Sequence, residues 1–221
     1  MVHRLGDRVS FYKLNWIALL LTGGFHLLQE LNDLGKSVFL DIKVLDVPNT
    51  TREIVRSAAG LGIRFITVHG VGENIRKAIE GREQAGRSDD LRILAVTALT
   101  SLSEQDTREL YNLPADVSLE DHVMTKTKEL VSYGCDGVIA SPHEIKRIRD
   151  ASPDTVLIVA PAIRMPGEST DDHKRAGTPY ESIKAGADYL VVGRSIYQDA
   201  DPSAKVERYI EEIARGLDDK R

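Results

Sequence analysis

Ser37-Val-Phe-Leu-Asp-Ile-Lys-Val-Leu-Asp-Val-Pro-Asn-Thr50 is the stretch whose reading decides the fold. Residues 37–44 are rich in β-branched and aromatic side chains and are bounded by Gly35 and Pro48, so they read as a strand. Side chains alternate across a strand, which puts Phe39, Asp41 and Lys43 on one face and Leu40, Ile42 and Val44 on the other. An acid and an ammonium thus share one face of a strand whose other face is apolar. Asp46 follows just past the strand end, so two carboxylates are expected to bracket Lys43 and hold it charged. A fixed ammonium donates protons and stabilises developing negative charge; it is not a nucleophile. The competing reading, an ion-pair knot that only pins strand register, is disfavoured because desolvation cancels most of the Coulomb gain of a buried charge cluster.

Outward from this strand, short apolar runs alternate with amphipathic stretches. Strands are expected at 9–14, 37–44, 64–68, 93–98, 137–140, 156–160 and 189–192. Helices are expected at 24–34, 50–61, 74–85, 118–133, 143–151, 179–185 and 204–216. Strand then helix, repeated with short connections, means parallel strands joined by crossover helices in one domain over residues 1–221. The fold class is α/β, and the length is near the lower limit for a (β/α)8 TIM barrel. Chemistry-bearing residues fall at C-terminal strand ends: Lys13, Asp41 with Lys43, His69, Thr100, Arg164 and Gly193-Arg194. Barrel enzymes build their sites at that rim, whereas an open doubly wound sheet would not converge all these residues on one point.

Two further stretches carry chemistry. Gly193-Arg194 ends an apolar strand; glycine admits a ligand close to the backbone, and the arginine fork suits a phosphate. A surface arginine after a turn is the plain alternative. Residues 164–178 are polar and aperiodic, so they read as a long loop with three cations and His173. Loops of that length in a compact barrel are usually functional, and this one is expected to close over an anion; a solvated insertion is the alternative.

Composition excludes several classes. With a net charge of −5, the chain is no candidate for a nucleic-acid binder held by phosphate contacts. The single cysteine, Cys135, cannot form an intramolecular disulfide and reads as a small core residue, fitting a reducing cytosol. The apolar run 16–21 is too short for a membrane span, and the first residues have no signal-peptide apolar region. The expected location is cytoplasmic.

The run 39–50, with its D-x-K-x-x-D-V-P-N-T pattern, resembles the signature of the orotidine 5′-phosphate decarboxylase family. Supporting it are Phe11-Tyr-Lys13, Val96-Thr-Ala-Leu-Thr-Ser101, Asp136-Gly-Val-Ile-Ala-Ser-Pro142, Pro161-Ala-Ile-Arg164 and Val192-Gly-Arg194. Their order is similar to that of the bacterial branch from about residue 9 to residue 202. Related phosphosugar aldolases and decarboxylases share D-x-K-x-x-D but not the Pro-Asn-Thr that follows. The resemblance implies a homodimeric barrel, free of cofactor and metal, that converts orotidine 5′-monophosphate to UMP and carbon dioxide. It implies that Lys43 protonates C6, Asp41 lies against the departing carboxylate, and Lys13 holds Asp41 and the ribose. It implies that Asp46 and Thr50 reach the partner subunit's site and that Thr100 meets the pyrimidine edge. Arg164, His173, Gly193 and Arg194 would hold the phosphate.

Three departures from the family pattern stand out. His173 replaces the glutamine of Asp-Gln-x-Arg, and Ala162 replaces the glycine of Pro-Gly-Ile-Arg, where a methyl group would hinder close backbone approach. The family's first strand, ending in Ala-Leu-Asp, has no counterpart, so the first strand here corresponds to the family's second. Two expectations follow: a working decarboxylase with a shortened N-terminus, or a folded, inactive phosphate-binding homologue. Retention of Lys13, Asp41, Lys43 and Asp46 favours the first.

Overall fold

A computed structural model describes residues 1–87, 89–169 and 175–220. Among the described residues, seven parallel strands form one sheet in sequential order: β1 (Phe11–Asn15), β2 (Ser37–Val44), β3 (Phe65–His69), β4 (Arg92–Val96), β5 (Gly137–Ile139), β6 (Leu157–Ala160) and β7 (Tyr189–Leu190). Each ladder joins chain neighbours, so every crossover has the same sense and the sheet curls around its inner face.

Alternation along the strands divides the core in two. Leu40, Ile42 and Val44, with Ile66, Val68, Ile93 and Ala95, face outward. They pack under the helices α3 (Gly24–Asp33), α4 (Pro48–Gly60), α5 (Gly72–Gln84) and α7 (Leu119–Ser132), which bury Leu28, Val55, Ile75 and Leu130. Phe39, Phe65, Leu94, Val96, Ile139 and Val159 face inward as a smaller apolar plug. Edge-to-face rings close that plug: Phe11 and Phe39 lie 4.8 and 5.9 Å from Phe65, and Tyr189 lies 4.9 Å from Phe65.

The curl brings Phe11 of β1 to 5.8 Å from Tyr189 of β7, yet these strands are the two ends of the ladder. The finding is a curled seven-stranded parallel sheet with a seam between β1 and β7, where the sequence led us to expect a TIM barrel less one strand. The seam is strapped by α1 (Val2–Leu5) and the 3-10 turn Gly6–Arg8. On the β1 side, Lys36 donates to the Gly6 carbonyl at 2.9 Å, and His3 pairs with Glu30 at 2.7 Å. On the β7 side, Arg4 donates to the Ala200 carbonyl at 3.0 Å, and Arg8 pairs with Glu207 of α11 (Pro202–Asp218) at 2.5 Å.

Charges at the N-terminal ends of the strands do structural work. Asp136 accepts the Ile93 N–H at 2.8 Å and pairs with Arg82 at 2.6 Å. Asp188 does the same for the Ile158 N–H and Arg149. Each carboxylate satisfies a strand-end donor that the ladder leaves over. Lys13, Asp41 and Lys43 lie at the opposite ends of their strands.

Several elements differ from expectation. β1 runs one residue further than 9–14 at its C-terminal end, and β7 keeps only two ladder residues because the backbone turns toward Gly193. Four short helices carried too little periodicity to be anticipated: α1, α2 (Trp16–Leu20), α6 (Glu104–Tyr111) and α10 (Arg194–Tyr197). The two remaining helices, α8 (Ile145–Ala151) and α9 (Pro179–Ala185), fall where expected. Cys135 is buried, and burial pushes its thiol up to about 12, in keeping with a core residue. Among the described residues, no helix is long and apolar enough to cross a membrane.

Candidate active site

At the C-terminal rim of the sheet a cavity of about 700 Å³ opens above the inner apolar plug. Its lining includes Lys13, Asp41, Lys43, Thr100, Arg164, Gly193 and Arg194, contributed by β1, β2, the β4–α6 connection, the loop after β6 and the end of β7. These are seven of the ten candidate site residues, of which Asp46 and Thr50 were expected to serve the partner subunit's site. Asp46 and Thr50 are not among the lining residues; His173 lies outside the described residues.

On β2 the expected alternation of faces holds through Val44, with Asp41 and Lys43 both on the cavity side, but the ladder to β3 is interrupted. β2 and β3 are in register at Phe39–Phe65 and Leu40–Ile66, then again only at Val44–Val68, so β2 carries a bulge. Lys43 sits in that bulge with φ +48°, a left-handed conformation that an unbranched L-residue adopts at a cost of about 1–3 kcal/mol. Thr67 of β3 holds it there: its Oγ1 accepts the Lys43 N–H at 2.9 Å and donates to Asp41 Oδ1 at 3.0 Å. Sequence reading missed Thr67. The available signal was a hydroxyl in phase with inward-facing Phe65, in a strand otherwise apolar until His69.

The charge arrangement lacks the expected second carboxylate at Lys43 but has the Lys13–Asp41 contact that the resemblance implies. One carboxylate stands between two ammoniums: Asp41 Oδ2 accepts from Lys13 Nζ at 2.8 Å and Oδ1 from Lys43 Nζ at 2.7 Å. Asp46 does not complete a bracket around Lys43 because the chain turns away after the bulge. It is exposed, and its carboxylate accepts the Val47 N–H at 2.7 Å. Burial alone would push the Asp41 carboxyl up; the Lys13 ammonium and hydrogen bonds from Lys13 and Lys43 outweigh it, and the net shift is downward. Asp41 is therefore an anion at neutral pH with both oxygens engaged.

His69 ends β3 but does not line the cavity. Its Nε2 lies 3.2 Å from the Tyr111 hydroxyl of α6, and the two rings stack. Burial, then the positive charges of Lys126 and Lys43, lowers its pKa and favours neutral imidazole. Arg175, one of the three cations expected to face an anion, turns inward instead. It forms an ion pair with buried Glu144, which also accepts the Ser141 N–H at 2.9 Å. Its Nη2 reaches the Leu99 carbonyl at 3.4 Å, beside Thr100. Arg164, which also lines the cavity, is buried; its Nε donates to the Ser169 carbonyl at 3.2 Å and its Nη1 to the Ile163 carbonyl at 3.0 Å. Ala162, where the family has glycine, sits at φ +64°.

A curled parallel sheet that gathers a lysine–aspartate–lysine array and two arginines at its C-terminal rim defines the class of phosphate-ligand enzymes built on barrel-like sheets. The chain belongs to the orotidine 5′-phosphate decarboxylase / HUMPS family, whose model matches residues 1–209. A relative, the orotidine 5′-phosphate decarboxylase of Nitrobacter winogradskyi, is 42% identical over 217 residues, 98% of this chain and 87% of that protein. The crystal structure of orotidine 5′-phosphate decarboxylase from Lactobacillus acidophilus superposes with a TM-score of 0.79 at 32% identity, covering 96% of this chain and 90% of that one. That of the Pyrococcus horikoshii enzyme gives 0.69 at 27% identity, over 96% and 90%.

Proposed function

We propose that this chain decarboxylates orotidine 5′-monophosphate to UMP and carbon dioxide, a step of pyrimidine biosynthesis. The observation that carries the reading is Asp41 clamped between Lys13 and Lys43 on one wall of the cavity, with Arg164 and Arg194 on its rim. The family model covers HUMPS proteins as well. Pro48-Asn49-Thr50 after the D-x-K-x-x-D run and the names of the relatives favour the decarboxylase branch.

In this reading the substrate's carboxylate lies beside Asp41 and its C6 beside Lys43 Nζ. The C6–carboxylate bond breaks, carbon dioxide leaves and the electron pair stays on C6. The Lys43 ammonium, already aimed by Asp41 and Thr67, stabilises that pair and then gives C6 a proton. Preorganisation is the source of the gain, since the ammonium needs no reorientation as charge develops. Lys13 fixes the second Asp41 oxygen and reaches the ribose. Thr100 meets the pyrimidine edge. Arg164, Gly193 and Arg194, with His173, hold the phosphate far from C6, where binding energy serves orientation.

Asp46 and Thr50 take their role in a homodimer, each subunit supplying them to its partner's cavity. Exposed Leu45 and Val47 flank Asp46, and the segment after β1, tied to β2 by Trp16 Nε1 on the Ile42 carbonyl at 2.8 Å, exposes Trp16, Ile17 (68%), Leu20 (80%) and Leu21. A surface of that kind marks an interface. The seam between β1 and β7 is the place of an eighth strand in the family's (β/α)8 barrel. A cytoplasmic enzyme with neither metal nor cofactor completes the reading.

The test is UMP formation from orotidine 5′-monophosphate by the purified chain and by its Lys43→Ala variant. The parent should turn over, and the variant should lose at least about 10³-fold in kcat/KM, roughly 4 kcal/mol of barrier. Catalysis by the variant within about tenfold of the parent would remove Lys43 from the acid's role.

A further inference from the structure

One carboxylate that this mechanism leaves unused lies behind the arginine wall. Glu168 closes a turn on Met165, its N–H donating to the Met165 carbonyl at 3.1 Å. Its Oε2 accepts the Met165 N–H at 3.0 Å and the Ser195 hydroxyl at 2.5 Å, while Oε1 pairs with the buried Lys205 ammonium of α11. Tyr209, also buried on α11, donates to Ser195 Oγ at 2.7 Å, and its hydroxyl lies 3.5 Å from Glu168 Oε2. Lys205 lies 3.6 Å from Asp199 as well.

What this network touches gives it meaning. Met165 directly follows Arg164, and Ser195 directly follows Arg194. Ser169, whose carbonyl accepts from Arg164 Nε, is the next residue after Glu168. A single carboxylate therefore grips the chain beside each arginine, and beside the acceptor that orients one guanidinium. Lys205 and Tyr209 tie that carboxylate to α11, a seventeen-residue helix packed on the outside of the sheet. Removing one partner from a buried, hydrogen-bonded pair leaves the other uncompensated, so the site can hold only one arrangement.

We propose that Glu168 is a positioning residue that sets the spacing of Arg164 and Arg194 and thereby the enzyme's grip on the substrate's 5′-phosphate. The proposal rests on the reading that these arginines hold the phosphate. A purely structural staple would weaken the fold but would lower activity toward phosphorylated and phosphate-free substrate alike. A positioning carboxylate lowers the first selectively, because only the phosphate contacts depend on arginine spacing.

The experiment measures kcat/KM for orotidine 5′-monophosphate and for orotidine, which lacks the phosphate, and takes their ratio. It compares the parent with Glu168→Ala, with the double variant Glu168→Ala/Lys205→Met, and with Arg194→Ala. The double variant leaves no lone buried ammonium and so guards against loss of fold, which melting temperature monitors. Both Glu168 variants should lower the ratio at least tenfold, with KM for the phosphorylated substrate rising more than kcat falls. If Arg194→Ala lowers the ratio and the folded double variant keeps it within twofold of the parent, the proposal is overturned. If Arg194→Ala itself leaves the ratio unchanged, the phosphate reading fails and the proposal with it.

Discussion

Lys43 shows how far a single residue can be read. Its face, its neighbour Asp41 and its position at a strand end follow from a two-residue period, and all three were legible in residues 37–44. Its φ of +48° was not, because the bulge that creates it depends on Thr67 from β3, twenty-four residues away. For the same reason the partner of Lys43 was half misread: Asp41 engages it, and the bulge carries Asp46 off to solvent. Ala162 is the complementary case, a departure visible in sequence whose consequence is conformational. At φ +64° a β-carbon costs about 1–2 kcal/mol. Ala162→Gly would recover that strain and lose about 0.4–1 kcal/mol to a freer unfolded chain. The balance favours glycine, so the variant should melt about 1–3 °C higher. A lower melting temperature by calorimetry would mean that the surroundings have relaxed around the methyl group.

Among elements, the loop expected at residues 164–178 is described at 164–169 and 175–178, where no helix or strand forms, and its residues 170–174 lie outside the described residues. Arg175 was counted with the cations facing an anion; the structure spends it on Glu144, because Ser141 and Leu99 present acceptors and a buried carboxylate at the ends of β5 and β4. Pairings between segments thirty residues apart leave no periodic trace. The Ser103-x-x-Asp106 capping box of α6 did leave one, a serine followed three residues later by an acid, and it went unread among the polar residues around it. Glu144 is 4% exposed and satisfies both Arg175 and the Ser141 N–H. Glu144→Ala leaves a guanidinium and an amide without their acceptor, which costs about 3–5 kcal/mol. For a chain of this size the melting temperature should fall by roughly 6–20 °C. A drop under about 2 °C would show that solvent reaches Arg175 and that the pair contributes little.

At the scale of the whole molecule, the parallel α/β sheet followed from alternation alone, whereas its closure and the proposed dimer involve surfaces that no short pattern encodes. The apolar surface around Asp46 makes the dimer testable by complementation. Mixing Lys43→Ala subunits with Asp46→Ala subunits should restore part of the activity, since one site of each mixed dimer then has both residues. No recovery, with subunit exchange verified, would count against a shared site. The seam raises the remaining question of what holds a curled sheet whose end strands do not pair. Strand edges invite intermolecular pairing unless covered, and here the cover is the strap of residues 2–8, with Leu5 3% exposed at the cavity's end. Its polar ties to Glu30, Ala200 and Glu207 are exposed and contribute little each. The largely buried Lys36–Gly6 hydrogen bond and the apolar contact of Leu5 then carry the strap, and Leu5→Ala should cost about 2–4 kcal/mol, a fall of roughly 4–16 °C in melting temperature. An eighth parallel strand, supplied by extending the chain ahead of Met1, would replace that cover with ladder hydrogen bonds on both edges. The extended protein should melt higher and turn over orotidine 5′-monophosphate faster than the 221-residue chain. Equal melting temperature and equal turnover in the two forms would show that the strap already closes the sheet as well as a strand does.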